Sequence, residues 1–316
     1  MHKIVILDAE TLGRNLSLDP ILSCGEVKVF SSTAPEDRLS ACRDAQIVLL
    51  NKVRLDRELL QACPNLKLIC CFSTGYDQVD LECCRELGIG VCNVKGYSTE
   101  SVAGLTVALA SALVYHLHEY TDYVAAGSYS SGGVANHLEP AFHDFSGLVW
   151  GIVGYGHIGR RVAKAAKALG ARVQYCRQED HNEPGCVTPD ELCATSDIIS
   201  LHVPLNAGTF CMINRERIAS MKQGSIVINV ARGKVCDEEA LVQALLSGRL
   251  GGIGVDVYGQ EPFGKDSPWC SVLHHPRALL TPHMAWGSWE ARRKCVDEVA
   301  RNIRSFLSGG RRNRVD

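Results

Sequence analysis

Three stretches in the second half of the chain each place a residue of distinct chemistry just after an apolar, β-type run. Ser225–Val230 runs into Ala231-Arg232-Gly233, Gly251–Asp256 leads to Glu261-Pro262, and Ala278–Thr281 leads through Pro282 to His283. In an open α/β sheet, ligands lie beyond the carboxyl ends of the strands. The pattern therefore gathers a guanidinium, a carboxylate and an imidazole at one sheet edge. Hydride delivery to a carbonyl carbon builds charge on the oxygen, and an imidazolium supplies the proton it needs. A carboxylate beside the ring orients it and favours its charged form. An arginine grips a substrate carboxylate through two parallel hydrogen bonds and polarises the adjoining carbonyl. The set suits a 2-oxo acid. Each residue also has a plainer role: a surface arginine at a helix start, a loop carboxylate, a structural histidine. His202, which ends a strand in SLHVPL, and His274-His275 compete with His283, but the coincidence of three strand ends favours Arg232, Glu261 and His283.

Such chemistry needs a hydride source, and a second motif offers a place for one. The apolar run Val149–Val153 passes directly into Gly154-Tyr155-Gly156-His157-Ile158-Gly159 and an Ala-rich stretch. G-x-G-x-x-G between a strand and a helix is the dinucleotide fingerprint. Gly154 permits the tight turn, Gly156 lets phosphate approach the backbone, and Gly159 allows close helix–strand packing. The amides of His157 and Ile158 then face the pyrophosphate at the helix N-terminus. Eighteen residues after Gly159, where an acidic residue commonly binds the adenosine ribose, stands Arg177. A guanidinium there accommodates a 2′-phosphate, which favours NADP(H). In the alternative, with NAD(H), Arg177 is a solvated strand end and Glu179 or Asp180 reaches the ribose.

The elements that must carry these residues alternate β-rich and helical runs, the pattern of parallel sheets with crossover helices. A first set of strands is expected at Lys3–Asp8, Val27–Phe30, Gln46–Asn51, Leu66–Phe72 and Gly90–Val94. A second is expected at Val149–Val153, Arg172–Cys176, Ile198–His202, Ser225–Val230, Gly251–Asp256 and Ala278–Thr281. A long helix begins near Thr99, capped by Ser98 or Thr99 with Glu100 in its first turn, and Glu290–Leu307 has helical periodicity. The expected architecture is α/β with two doubly wound domains. A discontinuous substrate domain covers 1–99 and 286–316, and a dinucleotide-binding domain covers 100–285, with a small substrate in a cleft of the kind two such domains form.

A 316-residue chain, 46% hydrophobic and 22% charged with a net charge of −2, gives no electrostatic reason to bind nucleic acid. The basic run Arg311-Arg312-Asn313-Arg314 is expected to fray. The start MHKIVILDAE lacks the layout of a signal peptide. The fifteen cysteines are irregularly spaced, and adjacent pairs such as Cys70-Cys71 point to opposite faces of a strand. They imply reduced packing residues, no metal site and a cytoplasmic location. Ser101–His118 has no formally charged side chain at neutral pH but carries Ser, Thr and His, so it is expected as a subunit-interface helix and not a membrane span.

These stretches together resemble the D-isomer-specific 2-hydroxyacid dehydrogenases over essentially the whole chain. The matching segments are STGYDQVDLECCRELGIGVCN, GYSTESVA, VGYGHIGRRVA, LHVPL, INVARGKVCDEEAL, GVDVYGQEP and TPHMAW. The resemblance implies a flavodoxin-like substrate domain, a Rossmann dinucleotide domain and a homodimer. It places the family's catalytic arginine at Arg232, its glutamate at Glu261 and its acid–base histidine at His283. It sets Thr74 and Gly75 between substrate and cofactor. Val203, Pro204, Val230, Ala231, Asp256 and Ala285 then line the cofactor. Apart from the resemblance, Lys52 offers a second positive charge for the substrate from the first domain, its plainer role being a solvated lysine. Within the family, NKV at Asn51–Val53, GYSTESVA and HMAW are most similar to glycerate dehydrogenases, also called hydroxypyruvate reductases, and Tyr175-Cys176-Arg177 is similar to the NADP-preferring members. The implied substrate is hydroxypyruvate or glyoxylate. A corepressor branch that keeps the fold is the rival reading. Tyr129, where a tryptophan is common, and Leu148-Val149-Trp150, in place of a lysine-containing entry to the strand, depart from the family pattern.

Overall fold

The computed structural model describes residues 1–177 and 183–316. The chain forms two compact units, Met1–Ser98 with Gly287–Asp316, and Thr99–Trp286. The first unit is built on five parallel strands, β1 (Lys3–Ile6), β2 (Glu26–Val29), β3 (Ile47–Leu50), β4 (Leu68–Cys71) and β5 (Gly90–Cys92). Their order is β2-β1-β3-β4-β5, that of a flavodoxin-like sheet. IVLL of β3 and LICC of β4 are buried at every position, as a parallel sheet covered on both faces requires. Cys42, Cys63, Cys71, Cys83 and Cys84 fill this core as small apolar groups.

The helix Trp289–Leu307 closes the first unit and opens at Ser288, whose side chain accepts from the Ala291 amide. Its buried face is Ala291, Cys295, Val296, Val299, Ala300 and Ile303, at the spacing of one helical stripe. The basic run Arg311-Arg312-Asn313-Arg314, expected to fray, is instead tied to the sheet, with Asn93 N donating to Asn313 O at 3.2 Å, and the two residues after it are held as well. Val315 N donates to Val91 O at 2.9 Å, and Val91 N donates to Asp316 Oδ1 at 2.8 Å. Arg314 grips Asp316 in a two-pronged ion pair, 2.5 and 2.6 Å. The edge of β5 offers backbone groups that need partners, and the tail supplies them.

The second unit carries β6 (Val149–Val153), β7 (Arg172–Cys176), β8 (Ile198–Leu201), β9 (Ser225–Asn229), β10 (Leu250–Val255) and β11 (Ala278–Leu280). All pair in parallel, in the order β11-β10-β9-β8-β6-β7. Beyond β7 the next strand is reduced to one parallel bridge, Tyr175 with Cys186. Counting that bridge, the order is that of the dinucleotide-binding sheet. Several strands are shorter than their apolar runs, although amides just past them, such as Leu7 N to Leu49 O and Phe72 N to Leu50 O, still reach the neighbouring strand. After β3, by contrast, Asn51 N donates to Asp8 Oδ1.

The long helix occupies Thr99–Val114, with Glu100 in its first turn paired to Arg161 at 2.7 Å. It packs against the glycines of β10. A Cβ at Gly252 would stand 2.9 Å from Leu113, and one at Gly254 would stand 3.1 Å from Leu109. The uncharged stretch Ser101–His118 is not one helix, as its composition suggested. His116 turns left-handed at φ 51, and a second helix, Leu117–Ala125, leaves at a 62° bend. Among the described residues no single helix is long and apolar enough to cross a membrane.

Candidate active site

The glycine turn between β6 and the helix His157–Ala168 has the shape of a phosphate cradle. Gly154 lies at φ 93, and a Cβ there would fall 2.7 Å from His202 O and from Val203 Cγ1. A Cβ at Gly159 would fall 2.1 Å from Gly154 O. These two positions admit no side chain. At Gly156, the residue that caps the helix, a Cβ would meet nothing within 4 Å. The open space therefore lies where the first helical amides, including those of His157 and Ile158, have no intrahelical acceptor. These residues fit a dinucleotide pyrophosphate. Val203 packs against the turn through the Gly154 approach, with exposed Pro204 beside it.

Arg177 follows the last residue of β7 and pairs with Glu183, Nη2 to Oε1 2.8 Å. Glu179 and Asp180, the alternative ribose partners, lie outside the described residues.

The loop after β9 presents Arg232. Asn229, 2% exposed, organises it: its Oδ1 accepts from Ala231 N at 3.0 Å, and its Nδ2 donates to Arg232 O at 2.9 Å. Arg232 Nη1 donates to Ala231 O at 2.9 Å. Val230 and Ala231 are both buried. At Gly233 a Cβ would stand 2.0 Å from the carbonyl carbon of Tyr258, so only glycine lets this loop abut the one that carries Glu261.

Glu261 and His283 come together across 22 residues of sequence. His283 Nδ1 lies 2.5 Å from Glu261 Oε2, with side chains 24% and 29% exposed, reachable by a small molecule. The other carboxylate oxygen, Oε1, accepts from Tyr258 N at 3.0 Å. An ionised carboxylate only accepts, so Nδ1 carries its hydrogen toward Glu261, and Nε2 is the nitrogen left to exchange a proton.

Asp256, fully buried, holds the His283 loop. It accepts from Thr281 Oγ1 at 2.6 Å, Met284 N at 2.8 Å and Ala285 N at 2.9 Å. Those bonds fix His283 at φ 53, a left-handed conformation that costs a non-glycine residue about 1–2 kcal/mol. Tyr258 OH donates to Thr281 O at 2.9 Å. Burial, then the negative charges of Asp256 and Glu261, push that phenol up to about 12, so it stays neutral and serves as a strut.

His202, the rival histidine, is a different kind of group. Its Nε2 meets Ser200 Oγ at 3.0 Å, its Nδ1 is buried without a hydrogen-bond partner, and burial pushes it down to about 3. It is neutral near pH 7 and cannot donate as an imidazolium.

In the first unit, Asp8 shapes the loop that bears Lys52. Its buried carboxylate accepts from the amides of Asn51, Lys52 and Val53 at 2.9, 2.6 and 3.1 Å. Burial raises its pKa, while those amides oppose the rise. Thr74 and Gly75 follow β4; Thr74 Oγ1 donates to Val94 O at 2.8 Å, and Ser73 Oγ donates to Gly75 O at 2.5 Å. Asn229, Asp8 and Tyr258 had no place in the sequence reading. Their only signal is a polar or aromatic residue closing an apolar run.

A sequence model of the D-isomer specific 2-hydroxyacid dehydrogenase NAD-binding domain matches residues 107–285. The chain is 35% identical to a glycerate dehydrogenase of Methylorubrum extorquens, over 99% of both chains. Among solved structures it is similar to D-lactate dehydrogenase from Aquifex aeolicus complexed with NAD and lactic acid, with 29% identity, TM-score 0.88 and 99% of each chain covered. It is also similar to an acyclic imino acid reductase in complex with NADPH and D-Arg, with 28% identity and TM-score 0.85 over 99% of this chain and 100% of that one. The glycine cradle, the Glu261–His283 pair and full-length similarity agree: the chain belongs to the D-isomer-specific 2-hydroxyacid dehydrogenase family.

Proposed function

We propose that this dehydrogenase reduces a short 2-oxo acid, hydroxypyruvate or glyoxylate, to the D-2-hydroxy acid, with Arg232, Glu261 and His283 as its catalytic groups. The observation that carries the reading is the 2.5 Å Glu261–His283 contact at the end of β11. A reduced nicotinamide, when bound, supplies the hydride. Arg232 binds the substrate carboxylate and polarises the carbonyl. His283 gives its Nε2 proton to the carbonyl oxygen, and Glu261 stabilises the imidazolium before transfer and keeps the ring aligned. Lys52, Thr74 and Gly75 are assigned to substrate, Thr74 also to cofactor. Gly154, Gly156, His157, Ile158, Gly159, Val203, Pro204, Val230, Ala231, Asp256 and Ala285 are assigned to cofactor. The relative named glycerate dehydrogenase supports hydroxypyruvate, since its substrate is the corresponding hydroxy acid. Steady-state rates over a panel of 2-oxo acids test the choice; a parent enzyme that reduces uncharged aldehydes as well as these acids would defeat the carboxylate clamp. The corepressor-like reading is not favoured, because the curated relative is named as an enzyme.

NADP(H) is the proposed cofactor, on the strength of the guanidinium at Arg177; NAD(H) is the alternative. A charge-assisted contact of this kind is worth about 1.5–3 kcal/mol, roughly ten- to a hundredfold in affinity. Arg177→Asp is expected to weaken NADPH and to leave NADH equal or tighter, read from the constants of both cofactors on parent and variant. A parent that already uses NADH about tenfold better overturns the assignment.

A homodimer is proposed as well, in a cytoplasmic setting where the fifteen thiols, all unbridged, stay reduced. The Thr99–Val114 helix buries one face, while Gly104 and Ala108 are exposed. Leu117, Val124, Tyr129, Val134, Leu138 and Phe142 extend the exposed apolar surface. So much apolar area in water is costly and commonly marks an interface. Light scattering at micromolar concentration is expected to give twice the 34.4 kDa chain mass; a monomer with this surface rapidly labelled by hydrogen exchange contradicts it.

A further inference from the structure

Beyond β7, five side chains form one continuous run of contacts that the proposed reaction does not use. The Arg160 guanidinium carbon, one residue past the last glycine of the turn, lies 5.7 Å from the centre of the Tyr155 ring. Tyr155 stacks on Tyr175 with centroids 3.7 Å apart and planes 10° from parallel. Tyr175 OH donates to Glu183 Oε2 at 2.9 Å, and Arg177 Nη2 holds the other oxygen, Oε1, at 2.8 Å. The hydrogen bond from Tyr175, then that from Arg177, lowers the pKa of Glu183, so it is ionised near neutral pH. The Glu183 side chain is 51% exposed, and a solvated anion on a guanidinium is readily exchanged for another. The end of the second strand is where a dinucleotide sheet meets the adenosine ribose. Among the described residues, the Glu183 carboxylate therefore rests on the arginine that the cofactor reading reserves for phosphate.

We propose that Glu183 selects between the cofactors. Its carboxylate holds Arg177 until a 2′-phosphate displaces it, and Arg160 is the second cation that receives the phosphate beside the Tyr155–Tyr175 stack. The physical reason is that a guanidinium fork fits one anion at a time, and two anions on the same fork repel. A ribose with a bare 2′-hydroxyl leaves Glu183 where it is, so the competition acts on phosphorylated adenosine alone. Tyr175 fixes the carboxylate's resting position, and its ring stack with Tyr155 sets the distance between the two arginines.

The proposal rests on the reading of Arg177 as the 2′-phosphate partner, and the test separates the two. Titration calorimetry measures binding of adenosine 2′,5′-bisphosphate and of 5′-AMP to the parent and to Glu183→Gln, Arg160→Gln and Arg177→Gln. Glu183→Gln is expected to tighten the bisphosphate roughly three- to fivefold and to leave 5′-AMP within about twofold. Arg160→Gln is expected to weaken the bisphosphate by a similar factor with 5′-AMP unchanged. If Arg177→Gln leaves the ratio of the two affinities as it was, the Arg177 reading falls and this proposal with it. If Arg177→Gln flattens the ratio while Glu183→Gln does not move it, Glu183 is a structural strut and only this proposal falls. Weaker 5′-AMP binding in Glu183→Gln, with the bisphosphate untouched, makes Glu183 a ribose-hydroxyl acceptor and also overturns it.

Discussion

Replacing His283 by alanine is expected to lower kcat by roughly 10²–10⁴ while reduced cofactor still binds. The imidazole is the group positioned to protonate the oxygen, and it stands on a loop whose conformation does not depend on the ring. The amides of Met284 and Ala285 and the Thr281 hydroxyl all bond to Asp256, so removal of the side chain leaves the loop in place. The glycine cradle lies on other elements, and fluorescence titration with NADPH or NADH is expected to give a dissociation constant close to the parent's. Glu261→Gln keeps the shape but replaces the acceptor that orients the ring, and is expected to lower kcat by less than His283→Ala does. Near-parent turnover in His283→Ala would remove the histidine from the chemistry.

Arg232→Ala is expected to cost about 10²–10⁴ in kcat/KM, since two charge-assisted bonds of about 1.5–3 kcal/mol each are lost. The effect divides between KM, through the carboxylate, and kcat, through the polarised carbonyl. Arg232→Lys restores charge but not the two-pronged geometry, so recovery is partial. The diagnostic comparison is between a 2-oxo acid and an aldehyde of similar size. The parent favours the acid, and Arg232→Ala is expected to level the two. A uniform loss on both substrates makes Arg232 a structural residue of the Asn229 turn and refutes its role as carboxylate partner.

The chemistry-bearing residues were readable in the chain because each follows a locally encoded boundary. Gly154, Gly156 and Gly159 fall within six residues between an apolar run and a helical one, and strand-to-loop transitions announce Arg232, Glu261 and His283 by composition alone. The strands, buried in parallel sheets, show as continuous apolar runs, which is why two α/β units could be expected from sequence. Local spacing does not encode partners supplied by distant segments. His283 and Glu261 are 22 residues apart, and nothing in either segment says that Nδ1 meets Oε2. The identical type of signal, a histidine closing an apolar run, precedes His202, and only burial against Ser200 makes that ring a neutral structural group. Asp256 read as a cofactor-lining residue from sequence, and its three bonds to the Thr281–Ala285 segment add a bracing of the loop that aims His283.

The departures from expectation have the same origin. Ser101–His118 has no proline to break it, and its uniform apolar composition reads as one helix. The break at His116 accompanies a cluster that includes Glu119, 3.0 Å from His116 Nδ1, and Arg277, which reaches Glu119 at 3.3 Å from 158 residues away. The basic tail reads as solvated until β5 offers it an open edge. By itself the sequence determined the family of chemistry, the two sheets and the cradle, because those follow from turn sterics and apolar periodicity. Tertiary structure alone decided which histidine pairs with a carboxylate, what braces its loop and which anion rests on Arg177, because those depend on contacts between segments that no local pattern records.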